Sequence, residues 1–252
     1  MTRSIISAEL FKLRTVRGPW IAVLVLAALV VAGLVFAAAL IGDPGQPVLE
    51  PGTLTEMVRG PGRLIGGVAL LLGLLLTTGE YRHGTVLTTR TAQPDPARTV
   101  FGKAAAAAIA GGLVAVIMEL ITLAGAAALY ASGDVAFEPL MHAVPATLGS
   151  VILVAALHAV AGVGIGELLR SPALAVGAVL SWIFMVEGIL PSVLSEPGLG
   201  RWLPGGVAHS ALSIGLSHDA SQLVPAVGLV VLAGYAIGLL VAGTARAELT
   251  DP

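Results

Sequence analysis

Residues 20–41 read WIAVLVLAALVVAGLVFAAALI, an apolar run that no charged residue interrupts. As a helix rising ~1.5 Å per residue it measures roughly 33 Å, enough to cross the ~30 Å hydrocarbon core of a bilayer. A backbone in hydrocarbon must satisfy its own hydrogen bonds, so such a stretch crosses as a helix. Arg3, Lys12, Arg14 and Arg17 precede it, a layout shared with secretory signal peptides. A signal core is only roughly 7–15 residues long, however, and further apolar runs follow here. The run therefore reads as a retained first crossing.

The rest of the chain has the same character. Of 252 residues, 56% are hydrophobic and 11% charged, against ~25% charged in ordinary soluble domains, too few to clothe a water-facing surface. The 32 glycines and 15 prolines fit membrane helices, in which both are more frequent than in soluble ones. With no cysteine, disulfides and thiolate metal sites are excluded. A net charge of −2 speaks against a nucleic-acid binder.

The expected fold class is all-α: a single polytopic membrane domain over 1–252, with six transmembrane helices. Crossings are expected at about 20–41, 62–78, 103–130, 142–166, 172–190 and 223–241. Residues 2–17 predict an interfacial helix, with Ile6, Leu10 and Leu13 on one side and Lys12 and Arg14 free to reach lipid phosphates. A frayed basic tail is the other reading of that segment. Gly18-Pro19 is expected to end it and turn the chain into the bilayer. Residues 43–61 read as a loop. The segment 191–221, with Pro191, Pro197 and Pro204, is too broken to span and reads as short outer re-entrant or surface helices. Gly66, Gly67 and Gly73, the pair Gly162 and Gly166, and the pair Gly234 and Gly238 are spaced for close helix packing.

Orientation follows from the basic residues. With the N-terminus inside, Arg3, Lys12, Arg14, Arg17, Arg82, Arg90, Arg98, Lys103, Arg170 and Arg246 fall on the inner side, and Arg59, Arg63 and Arg201 on the outer. That bias obeys the positive-inside rule and places both termini in the cytoplasm, in a multi-pass protein of the cell membrane.

Chemistry is sparsely signalled. There is no Walker A loop, HExxH or GxSxG, so no catalytic residue, cofactor or metal is expected, and the chain is not expected to be an enzyme. GPGRLIGG at 60–67 is glycine-rich but follows a loop, and reads as a tightly packed helix start. Three polar groups lie inside apolar runs: Glu119, His158 and Glu187. An acid at mid-membrane costs ~2.5–3.5 kcal/mol, so Glu119 must face protein or water. It reads either as a polar point on a transport path or as an interhelical hydrogen-bond partner, for instance of His158. Glu187, nearer the outer end, can reach the headgroups. Residues 79–102, GEYRHGTVLTTRTAQPDPARTVFG, interleave charges with Tyr81, Val86, Leu87 and Phe101. They read either as a surface that docks a soluble partner or as an inner loop carrying topogenic arginines.

Three stretches carry a family resemblance: SAELFKLRTVRGPW (7–20), LLLTTGEYRHGT (74–85) and TAQPDPARTVFGKA (91–104). Together with the crossing pattern they resemble the permease subunit of ABC-2 type transporters. The resemblance implies a dimer of permease copies in the lipid bilayer, driven by separate ABC ATPase subunits. It implies that Glu9 to Arg17 forms a connecting helix, and that Glu80, Tyr81, Arg82, Gly84 and Thr85 begin the ATPase coupling element within 79–102. Arg98 and Lys103 would flank the return to the membrane, and Leu203-Pro204 would belong to the outer re-entrant helices. It names no cargo. Two readings from other classes stand beside it: a membrane enzyme or maturation factor built on Glu119 and His158, and an ion-coupled carrier.

Overall fold

The computed structural model describes residues 2–40, 56–57, 59–132, 144–189, 198–213 and 222–249. Among these residues there is no strand; the fold is all-α. Helix α1 is Thr2–Thr15 and α2 is Arg17–Leu40. Helix α3 is Gly62–His83, α4 the short Val86–Ala92, and α5 the 37-residue Pro96–Ser132. Helix α6 is Val144–Leu169 and α7 is Pro172–Ser181, continued by a π turn at Trp182–Glu187. A 3-10 turn at Gly200–Trp202 precedes α8, Pro204–Ala211, and α9 is Pro225–Leu249.

Five of these helices, α2, α3, α5, α6 and α9, are long and apolar enough to cross a membrane. The fifth expected crossing, 172–190, is α7 with its π turn, at 16 residues roughly 24 Å and shorter than the ~30 Å core. Of the expected loop at 43–61, residues 43–55 and 58 lie outside the described residues, as do 133–143, 190–197, 214–221 and 250–252.

Burial runs opposite to that of a soluble bundle. The interior is filled largely by small residues, among them Ala69, Ala107, Ala115, Ala155 and Ala159, while Leu24, Phe36, Phe184, Val230 and Ile237 point outward. No water-driven force brings helices together in lipid, so close backbone contact has to do it. Helix α6 is the hub and packs along α3, α5 and α9. Its contact with α3 is reciprocal: a Cβ on Gly162 would overlap the Leu70 carbonyl, and one on Gly73 would overlap the Ala159 carbonyl. These glycines do what their spacing predicts. Gly67, Gly234 and Gly238 do not, because nothing lies within 4 Å of where their Cβ atoms would be. Helix α2 packs on α5, with Leu34 against Gly125, and sends Leu26 and Val30 into the core, but is otherwise almost wholly turned outward. The chain is a polytopic, all-α membrane protein.

Several boundaries differ from the sequence expectation, each for a local reason. The break between α1 and α2 falls at Val16, not at Gly18-Pro19. Pro19 sits in the first turn of α2, where an absent N–H costs no intrahelical bond. The second crossing continues past residue 78 to His83. Gly84, at φ 68°, then ends it. The Thr85 N–H reaches the Glu80 carbonyl at 3.0 Å and the Gly84 N–H reaches that of Tyr81 at 3.4 Å, a Schellman closure that needs a left-handed residue. The third expected crossing, α5, begins seven residues early, at Pro96. Asp95 caps it, its Oδ1 accepting the Arg98 N–H at 3.1 Å, and Pro96 stands where a missing N–H is harmless. Ser171 caps α7 in the same manner, with Pro172 at the first helical position.

Candidate functional site

Counting helix directions places the C-terminal ends of α3, α6 and α9 at one end of the bundle, together with the N-terminal ends of α2, α5 and α7. Arg82, Arg90, Arg98, Arg170 and Arg246 cluster there, and we call it the basic end.

Its centre is a buried ionic network. Lys103 of α5 is 2% exposed and is a membrane-facing flank in name only. Its Nζ lies 2.8 Å from Glu80 Oε2 of α3 and 3.3 Å from Glu167 Oε1 of α6. Both carboxylates are themselves buried. Glu80 Oε1 also takes Lys12 Nζ of α1 at 2.5 Å, and the same ammonium lies 2.8 Å from Glu9 Oε1. Tyr81 donates its hydroxyl to Glu167 Oε2 at 2.7 Å. The Arg170 guanidinium covers the Tyr81 ring at 5.2 Å and donates to the Arg246 carbonyl of α9 at 3.0 Å. Arg90 of α4 donates to the Ala247 carbonyl, and Thr89 of α4 to Glu80 Oε1, both at 3.3 Å. One connected set of polar contacts therefore ties α1, α3, α4, α5, α6 and α9 together.

Lys12 is thus not free for lipid phosphates, as the sequence suggested. Burial opposes its charge, but the hydrogen bonds to Glu80 and Glu9 outweigh burial and hold the ammonium above its ordinary range. Glu9 goes the other way. Burial raises its carboxyl above the ordinary range, helped by the nearby Glu80, and the shared ammonium only partly offsets this. Lys12 stands closer to Glu80 and leaves Glu9 under-neutralised. Glu9 Oε2 is buried without a hydrogen-bond partner among the described residues.

Beside the network lies a half-open groove of about 950 Å³ between α1, α3 and α4. Ile5, Leu13, Val16, Leu75 and Leu76 form its apolar walls. Glu9, Lys12 and Glu80 line it as well, with Arg82, His83 and Thr85.

The five sequence-expected coupling residues divide between two environments. Glu80 is buried in the network and Tyr81 is half-buried against Glu167, whereas Arg82, Gly84 and Thr85 are exposed where α3 hands over to α4. Arg98 is exposed too, paired with Asp95 at 2.9 Å. Sequence reasoning missed that Glu9, Lys103 and Glu167 belong with Glu80.

The intramembrane polar residues are not brought together. Glu119 is fully buried in α5, and neither of its oxygens has a partner among the described residues. His158 Nδ1 pairs with the Val154 carbonyl of its own helix at 2.8 Å, and its ring lies over Gly66. The suggested Glu119–His158 hydrogen bond is not formed. Glu187 Oε1 accepts the Gly205 N–H at 2.9 Å and Trp182 Nε1 at 3.0 Å. It therefore compensates the N-terminus of α8, where a carboxylate is stabilising. Near that opposite end, Arg59 reaches Ser213 at 2.9 Å, and burial with the Arg63 and Arg59 charges lowers the His209 pKa.

No protein-family model matches the chain, and no curated protein matches it.

Proposed function

We propose that the chain is the permease subunit of an ATP-driven exporter of the ABC-2 type, working as a dimer with separate ATPase subunits. The observation that carries this reading is mechanical. A short exposed helix, α4, stands on the end of α3 behind a fixed Gly84 turn, and the ionic network ties it to α1, α5, α6 and α9. Force applied to Arg82, Gly84 and Thr85 reaches several long helices through buried contacts, not through a slack loop. Rigid-body shifts between two such halves would open a path for cargo. On this reading α7 makes the sixth crossing, the α8 region is the outer element, the basic end faces the cytoplasm, and the partner subunit hydrolyses ATP. The enzyme alternative is weakened by the separation of Glu119 and His158.

A tagged chain is expected to co-purify in detergent with a soluble ATPase encoded beside it. Arg82→Glu, at an exposed position, is expected to release that ATPase with no change in melting temperature; Glu80, being buried, is unsuitable for the same test. The proposal fails if no complex forms and Arg82→Glu leaves ATP-dependent transport unaltered. Because the chain contains no cysteine, orientation can be read from single cysteines. An impermeant maleimide applied to intact cells is expected to label Glu56→Cys and spare Thr88→Cys.

A further inference from the structure

In the ion pairs formed among the described residues, three buried carboxylates, Glu9, Glu80 and Glu167, share two ammonium groups, Lys12 and Lys103, while the Arg90 and Arg170 guanidiniums donate to backbone carbonyls of α9. Glu80 and Glu167 each have donors on both oxygens. The deficit therefore falls on Glu9, which is 2% exposed and has a bare Oε2. A buried carboxylate oxygen without a donor is costly and uncommon in a native fold. Glu9 also lines the groove, whose walls are mainly aliphatic and whose volume of about 950 Å³ suits a drug-sized molecule.

We propose that this groove binds an amphiphilic organic cation, with its charged group against Glu9 and its apolar body along Val16, Leu75 and Leu76. Charge complementarity selects the occupant: Glu9 Oε2 at the floor has no donor among the described residues, and the walls beside it are apolar. A neutral apolar molecule would leave Oε2 bare, and an anion would add to the excess of carboxylates. Arg82 and His83 stand at the rim and are exposed to solvent, so water screens their repulsion more than it screens the floor. The groups acting on Glu9 are Lys12 of its own helix, Glu80 of α3 and Lys103 of α5. Because burial keeps its proton more tightly held than usual, a bound cation competes with that proton, and binding strengthens as pH rises through the raised Glu9 value. The proposal does not rest on the permease reading: ATPase co-purification can fail while the groove still binds, and the reverse.

Tetraphenylphosphonium and tetraphenylborate are probes of nearly the same shape and opposite charge. Full-length protein in phosphatidylcholine nanodiscs is expected to bind the phosphonium saturably and the borate not at all. Glu9→Gln is expected to weaken phosphonium binding at least tenfold. Ala8→Trp, which fills the groove without changing charge, is expected to do the same. Both variants are checked for an unchanged melting temperature. Should Glu9→Gln fail to fold, the two-ion comparison and Ala8→Trp still decide. Equal binding of both ions (apolar partition only), absence of saturable phosphonium binding, or full affinity in a folded Glu9→Gln protein overturns the proposal.

Discussion

Replacing Lys103 by methionine keeps an unbranched chain one atom shorter and removes the charge, and it tests whether the buried network holds the bundle together. Lys103 is 2% exposed and joins Glu80 at 2.8 Å to Glu167 at 3.3 Å. Without it, two buried carboxylates from neighbouring helices face each other with no ammonium between them. Removing one partner of a buried pair costs about 3–5 kcal/mol, mostly because the other charge is stranded. Here Lys12 still neutralises Glu80, and Tyr81 still donates to Glu167, so the loss should fall near the lower bound, about 3 kcal/mol. Glu80→Gln strands Lys103 less severely, since Glu167 remains, and should cost about 2 kcal/mol. Equilibrium unfolding in mixed micelles with increasing dodecyl sulfate measures both. The double variant should lose less than the two single losses combined, by a coupling of about 1–3 kcal/mol. Strict additivity, or a Lys103→Met loss under about 1 kcal/mol, would refute the view that these groups form one network.

Other positions test other parts of the fold. Gly162→Ala places a methyl on the Leu70 carbonyl and should destabilise the α3–α6 contact by about 1–3 kcal/mol, whereas Gly234→Ala, with open space at its Cβ, should be near neutral in the same unfolding assay. Gly84→Val forces a β-branched residue to φ 68°; a loss of about 1–2 kcal/mol and faster amide exchange across Val86–Ala92 are expected, and unchanged exchange would count against the fixed turn. Lys12 has its pKa raised on folding, so its contribution is complete below the ordinary lysine value of 10.5 and is lost only as pH rises through the higher folded value. Trp20, whose Nε1 bonds the Arg14 carbonyl, should therefore report a docked α1 by fluorescence up to at least that pH, and undocking near neutrality would contradict the Lys12–Glu80 pair.

The helices themselves were legible in the sequence because hydrocarbon enforces a simple rule: a long apolar run must close its own hydrogen bonds. That rule found α2, α3, α5, α6 and α9, although it set several ends too early or too late. The errors share a cause. Hydropathy marks where the apolar run stops, not where the helix stops, and Glu80-Tyr81-Arg82-His83 continue α3 for one further turn. Likewise Pro96 to Gly102 fall before the expected start of the third crossing, yet Asp95 and Pro96 form an ordinary helix start that capping chemistry could have identified. The glycines show the limit of spacing arguments. Gly162 and Gly166 pack and Gly234 and Gly238 do not, although the latter pair has the same small-residue periodicity. Spacing places two glycines on one face; it does not say whether that face meets a helix or lipid.

The charged residues were misread for a deeper reason. Charges beside an apolar run are normally topogenic and solvated, and Lys103 reads that way in the sequence. In an antiparallel bundle, however, the end of one helix lies beside the start of the next. Glu80 falls near the end of α3, Lys103 near the start of α5 and Glu167 near the end of α6, so all three come to the same depth at the same end. Their signs alternate as the chain reverses, which is what mutual neutralisation requires. A like-charged set at those three places would have had to remain in water and keep the helix ends apart. The opposite-charged set lets the ends close, and it draws in α1 through Lys12 and fixes α4 through Thr89. Sequence order, helix direction and charge sign together therefore contain the network. No single segment does, because each residue's partner lies on a different helix.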